Sequence, residues 1–236
     1  MNILAVGPHP DDVEFGCAPI LIQEVAAGHA VQLLVCSKGE AASSGTPEER
    51  VEETRQAAQV IGAPVEFLDL GGDCRIEYNA PNRLLMTAQI RKFRPQVVLA
   101  PLAGEKWAGE NQHPDHVAVG RLVRDAARLA RYGGVEGIRD LPPHSIGHLY
   151  YYSITQPFQT GPPDVVIDVG PVEEKWEAAM ACHRSQMRTR SYPDLVLARA
   201  RTLGVSIGVE YAVGLWTNDP LRLRSLADIP LSSRYF

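Results

Sequence analysis

The sequence predicts an α/β protein built on a doubly wound, mostly parallel sheet, and three observations carry that prediction. Apolar runs of strand length alternate four times with helix-patterned segments before Tyr132, the pattern that yields parallel strands joined by right-handed crossovers. The fourth run, residues 96–101, is nearly all apolar, as a strand covered on both faces must be. Gly28 and Gly62 follow the first two helical segments and Thr46-Pro47 opens the second, so the boundaries carry ordinary stop and start signals.

Taken in order, residues 3–6 read as the first strand, followed by Gly7-Pro8-His9-Pro10-Asp11-Asp12-Val13-Glu14-Phe15. Residues 17–27 suit a helix, with Gly16 and Pro19 confining its regular part to the later turns. Residues 30–36 form a second strand. Thr46, Pro47 and Glu49 supply an N-cap, a proline in the first turn and a capping-box glutamate for a helix reaching Ile61. Residues 64–70 form a third strand, and a helix through Leu84, Leu85, Ile90 and Phe93 leads to the fourth. A loop over 102–112 then runs into His113-Pro114-Asp115-His116 and a helix bearing Val119, Leu122, Val123, Ala126 and Leu129. Beyond Tyr132 the pattern is less regular: strands at 148–154, 164–169 and 208–215, helices at 171–183 and 193–203.

The 236 residues are read as one domain, less regular from about residue 133, with a core that needs no covalent staples. The 23 Lys and Arg against 28 Asp and Glu give a net charge of −5 without a basic run, which argues against nucleic acid or an anionic membrane as partner. No window approaches the length of a membrane span and no basic leader precedes the first apolar residues, so a cytoplasmic setting is expected. Cys17, Cys36, Cys74 and Cys182 form no C-x-x-C pair, in keeping with free thiols in a reducing compartment.

The usual order for four such units, 3-2-1-4, makes strands one and four neighbours where the winding reverses, and ligands bind there at the carboxyl ends. His9 and Asp12 would then face His116, giving two imidazoles and a carboxylate with room for water, the donor set of an open zinc site. Asp11 would be free to take a proton from a bound water. His113, oriented by Asp115, would donate to an oxyanion. Each piece has an ordinary alternative: Asp11 and Glu14 as a helix cap with its partner, His113 to His116 as a turn and N-cap. Two His-Pro-Asp runs at adjacent strand-to-helix junctions favour the metal site. A nucleophilic-serine elbow and a glycine-rich dinucleotide loop are both absent.

These two motifs, in this order and after these strands, resemble the LmbE-like or PIG-L family of metal-dependent deacetylases over nearly the whole chain. The resemblance implies a Rossmann-like fold and zinc-dependent hydrolysis of the acetyl group of an N-acetylglucosamine derivative, with iron as the alternative metal in the cell. It places the metal on His9, Asp12 and His116, the base on Asp11, and the oxyanion donor on His113 with Asp115 behind it. Arg50 matches an arginine that reaches the substrate in relatives, and Tyr192 resembles a mobile-loop tyrosine that closes over the site in some members, both expected to bind substrate. For Arg50 the alternative is a solvated arginine paired with Glu49 or Glu53. Glu14 is expected to hold the loop by hydrogen bonds, and Trp107 could line a sugar pocket. His29, His144, His148 and His183 are expected to be surface or satisfied histidines.

The implied partner is a small N-acetylated sugar, nearest to an N-acetylglucosaminyl-malate of bacillithiol synthesis, with Arg50 meeting its carboxylate; chitobiose-type sugars and antibiotic intermediates are the other substrates open. A homo-oligomer, trimer or hexamer, is implied as well. Two readings from other classes compete: a non-haem iron oxygenase, which uses the same ligand types, and a non-catalytic sugar-binding protein.

Overall fold

The computed structural model describes residues 1–103, 113–154, 161–188, 191–222 and 224–225; Trp107 lies outside them. Seven strands, β1 (Asn2–Gly7), β2 (Ala30–Val35), β3 (Val65–Phe67), β4 (Val97–Pro101), β5 (His148–Tyr152), β6 (Val165–Asp168) and β7 (Ala212–Trp216), form one sheet in the order β3-β2-β1-β4-β5-β7-β6. The expected 3-2-1-4 arrangement is therefore present, with Ile3 level with Val31 on one side and Val97 on the other. The first five strands are mutually parallel; β7 is antiparallel to both β5 and β6.

The helices are α1 (Asp12–Gly16), α2 (Ala18–Ala26), α3 (Pro47–Ile61), α4 (Ala80–Phe93), α5 (Pro114–Leu129), α6 (Glu173–Met180) and α7 (Tyr192–Ser206). Alternation along β1 divides the core, because successive strand side chains point to opposite faces. Ile3 and Ala5 pack with residues of α1, α2, α3, α6 and α7, whereas Leu4 and Val6 pack with Met86 and Ile90 of α4 and with Val119, Leu122 and Val123 of α5. This is double winding about the β1/β4 boundary.

Local chemistry accounts for most boundaries. Thr46 Oγ1 accepts from Glu49 N at 3.2 Å, and Gly62, at φ 91°, ends α3 in the left-handed region. Pro19 does not delay α2 as expected: it lies in the first turn, where its missing N–H has no helical partner to lose. β3 is shorter than the apolar run, since an edge strand needs pairing on one side only. The 171–183 helix is instead a 3-10 turn at Gly170–Val172 followed by α6, which stops at Met180. Gly120 lets α5 press on the end of β4, because a Cβ there would come within 2.4 Å of the Pro101 carbonyl oxygen. That approach sets the start of α5, with His113 and His116, beside the end of β1.

Candidate metal centre

The two motifs meet as the topology requires. After β1 the chain turns through Asp11 at φ 95°, ψ −25°, a left-handed conformation for a residue with a side chain. Such backbone costs about 1–3 kcal/mol and is found where surrounding structure enforces it. The turn sends the two adjacent aspartates different ways. Asp12 is buried, with Oδ2 accepting from the His9 backbone N–H at 2.9 Å and lying 3.0 Å from His9 Nδ1, and with Oδ1 3.3 Å from His116 Nε2. Donors sharing one tetrahedral zinc lie about 3.3 Å apart; each of the two Asp12 contacts has about that spacing, through a different carboxylate oxygen, and the donor atoms are of the hard and borderline kinds that could hold a divalent cation. The nitrogens of His9, His113 and His116 also fall within 4.8 Å of one another.

Asp11 makes no helix-cap bond. Its Oδ2 accepts from Arg50 Nη2 at 3.1 Å, and the same nitrogen donates to the Pro10 carbonyl at 2.7 Å. Arg50 is itself only 4% exposed. It is thus not a solvated arginine, and it is not among the residues that line the cavity over the two aspartates; its guanidinium supports the aspartate turn. Glu53 and Glu49, the alternative partners, are engaged elsewhere, Glu53 by Ser185 N and Oγ at 2.7 and 2.6 Å, and Glu49 by Arg188 at 2.9 Å.

Asp115 departs from expectation. Its carboxylate does not stand behind His113 but crosses to His9, with Oδ2 2.9 Å from His9 Nε2, and accepts from the Cys74 backbone N–H at 2.7 Å. What orients His113 is the Asp115 backbone N–H, which donates to His113 Nδ1 at 3.3 Å as α5 begins. A backbone N–H can only donate, so Nδ1 is the acceptor and a neutral His113 ring carries its proton on Nε2. Burial, with His9 and His116 nearby, lowers the His113 pKa.

Asp73 does not stand out in the sequence, where 71–79 reads as a polar loop. It lies 3.1 Å from His9 Nε2 and 4.0 Å from Arg50 Nη1. Burial alone would lower the His9 pKa, but Asp115, Asp12 and Asp73 together raise it to about 12. Burial would raise that of Asp12, yet His116 and His9 hold it well below the carboxylate range. Burial and the neighbouring Asp12 charge push Asp11 up to about 7 against the pull of Arg50. Buried negative charge in excess of positive is what a divalent cation would neutralise, and it would draw Asp11 back down.

A cavity of about 520 Å³ opens over these residues, walled by Phe15, Ile154, Gln186, Tyr192, Leu195 and Val196. Tyr192 thus reaches the site, with its ring 5.7 Å from that of Phe15. Gln186 likewise carries no signal in the sequence. It is anchored through Nε2, which donates to the Ser44 carbonyl at 2.8 Å. Glu14 and His183 differ from expectation: both are buried, His183 Nε2 lies 3.5 Å from Glu14 Oε1, and neither His183 nitrogen has a hydrogen-bond partner among the described residues. They pair beneath the loop instead of holding it by hydrogen bonds or facing solvent. His29, His144 and His148 lie away from the centre, with His144 Nε2 2.6 Å from the Pro95 carbonyl. All four cysteines are free, and no helix among the described residues is long and apolar enough to cross a membrane.

Two imidazoles and a carboxylate thus meet a further carboxylate and a third imidazole at the doubly wound switch point, under one cavity. The sequence matches the GlcNAc-PI de-N-acetylase (PIG-L) family over residues 4–127, and the chain belongs to that family. It is 30% identical over 199 residues to the diacetylchitobiose deacetylase of Thermococcus kodakarensis, covering 78% of this chain and 70% of the relative. It is 25% identical to the 4-oxalmesaconate hydratase of Pseudomonas putida, covering 96% of this chain and 92% of the hydratase. The solved structure of a conserved protein from Thermus thermophilus superposes with a TM-score of 0.82 at 32% identity, covering 94% of this chain and 96% of the other. The chain is thus an α/β enzyme of a deacetylase family, and the oxygenase reading is not favoured.

Proposed function

We propose that this protein is a metal-dependent hydrolase that removes the acetyl group from a neutral N-acetylated amino sugar. The observation that carries the reading is the divergence of Asp11 and Asp12: one carboxylate is committed to the two histidines and the other faces the cavity from above Arg50. Zinc, or ferrous iron, held by His9, Asp12 and His116 would supply Lewis acidity and an acidified water. Asp11 takes the water proton, with Arg50 fixing the carboxylate. His113, whose Nδ1 accepts from the Asp115 N–H, donates from Nε2 to the oxyanion formed from the acetyl carbonyl. Asp11 then returns the proton to the departing nitrogen, leaving acetate and a free amine. Tyr192 and Phe15 wall the sugar side of the cavity.

The charge of the cavity bears on substrate choice. Its described lining contains no Lys or Arg, and Arg50 is held beneath Asp11. A malate conjugate would present carboxylates that call for paired guanidinium or ammonium groups, so a neutral chitobiose-type sugar suits this wall better. The same observation weighs against the carboxylated substrate that the hydratase relative's name states. The test is release of acetate and amine from a panel of N-acetylated sugars by the zinc-loaded protein. Turnover of a neutral N-acetyl sugar ahead of its malate conjugate is expected. Inactivity on every amide, together with hydration of an unsaturated dicarboxylate, would replace the hydrolase reading by the hydratase one.

A further inference from the structure

Beside the proposed hydrolytic centre, the loop after β3 sets a thiol among metal donors. Cys74, exposed and held at φ 62°, has its Sγ 3.4 Å from Asp73 Oδ1 and 3.8 Å from His113 Nε2, and the donor atoms of all three residues lie within 4.8 Å of one another. A thiolate at about 2.3 Å from zinc and an oxygen or nitrogen at about 2.1 Å, placed at a tetrahedral angle, are about 3.5 Å apart. The two separations from sulfur bracket that value, and the third, between Asp73 and His113, is within 4.8 Å, so the three donors lie near the spacing that one ion needs. A thiolate beside a carboxylate and an imidazole selects zinc and similar borderline ions over magnesium or calcium.

We propose that Asp73, Cys74 and His113 form a second, weaker site for a thiophilic divalent cation next to the His9, Asp12 and His116 centre. Filling it costs the Cys74 thiol proton, which leaves to solvent as the metal–sulfur bond forms. It also requires the His113 ring proton to move from Nε2 to Nδ1, so that the Nε2 lone pair faces the ion and the 3.3 Å bond from the Asp115 N–H is given up. The loss of that bond and the exposure of Cys74, against the buried His9 and Asp12 of the first centre, make the site the second to fill. Occupancy removes the Nε2–H donor assigned above to the oxyanion, so excess metal inhibits; this consequence, unlike the site itself, rests on the hydrolase reading.

The test is titration of the chelator-stripped full chain with Co²⁺ in a thiol-free reductant, followed by absorbance. The first equivalent is expected to bring no thiolate-to-cobalt charge-transfer band, and the second to bring one. Cys74→Ser, at an exposed position, is expected to lose the band while keeping the first equivalent, with its fold checked by circular dichroism. Cys74→Ala serves the same purpose if the serine variant is unstable. Absence of the band in the wild type, or its persistence in both variants through Cys17, Cys36 or Cys182, would overturn the assignment. Inhibition by zinc beyond one equivalent should be lost in the same variants. A band without any amide hydrolysis would leave the metal site standing and sink the hydrolase reading alone.

Discussion

The two strand-to-helix junctions begin with the same tripeptide, His-Pro-Asp, and use it in opposite ways. After β1, the aspartate of the tripeptide, Asp11, takes a left-handed backbone, makes no cap, and presents a carboxylate to the cavity. After β4, the histidine, His113, is the cap, accepting from the Asp115 N–H, and the aspartate reaches across to the other junction's histidine. One junction therefore supplies buried charge and the other supplies its orientation. The lesson is that a shared motif fixes the kinds of atom delivered to a site, while the backbone at one residue decides which atom does which job.

The comparison can be broken or sharpened by substitution, beginning with the largest effect. His116→Ala should lose both bound metal and turnover, turnover falling below detection by acetate assay. Retained metal by mass spectrometry would mean that His113 takes over the ligand role and the two junctions are less distinct than described. Asp11→Asn should keep metal and lose about 10²–10⁴-fold in kcat, the usual worth of a positioned general base. Wild-type turnover in that variant would remove Asp11 from the chemistry.

Asp115→Asn separates the two junctions most directly. Because its carboxylate serves His9, metal affinity should fall about 10- to 100-fold, the usual effect of losing a group that orients a ligand, while turnover per bound metal changes little. The opposite pattern would return Asp115 to His113. Arg50→Lys should lower kcat roughly tenfold through the same kind of indirect support with KM unchanged; a raised KM with intact kcat would place Arg50 on the substrate.

The last effect, graded rather than all-or-none, is on pH. The metal-free His9 ring is protonated throughout the neutral range because its pKa is raised to about 12. Metal binding to that ring must expel the proton, so affinity should rise with pH by about tenfold per unit for one proton released. Calorimetry in buffers of different ionisation enthalpy would count that proton, and a count of zero would show that His9 is not displaced from its carboxylates.

Much of this could be read from the sequence, for reasons that also explain what could not. The β3-β2-β1-β4 order follows from chirality and alternation, and with it the meeting of His9 and Asp12 with His116. Where β7 goes does not follow, because apolar periodicity reports that a strand exists and not which edge it pairs with; its antiparallel place between β5 and β6 is a tertiary outcome. Asp73 is hidden for a related reason: a polar loop after a third strand carries no mark, although a loop ending β3 must lie at the same edge as those ending β1 and β4. Asp115 and Arg50 stand out as site residues, but their partners depend on side-chain direction. The Glu14 and His183 pair leaves no signal, since two burying polar residues far apart in sequence look like any surface pair.

The contact between Asp115 and His9 spans 106 positions, and Cys74 joins the same carboxylate across 41. Native pairs so distant close large loops and belong to the slow part of folding, after local helices and neighbouring strands have formed. The donor set is consequently incomplete in any intermediate that lacks the β1/β4 pairing. Metal should not nucleate this chain; added during refolding it should leave the rate unchanged and slow only the unfolding, which makes it a lock on a finished structure and not a template for building one.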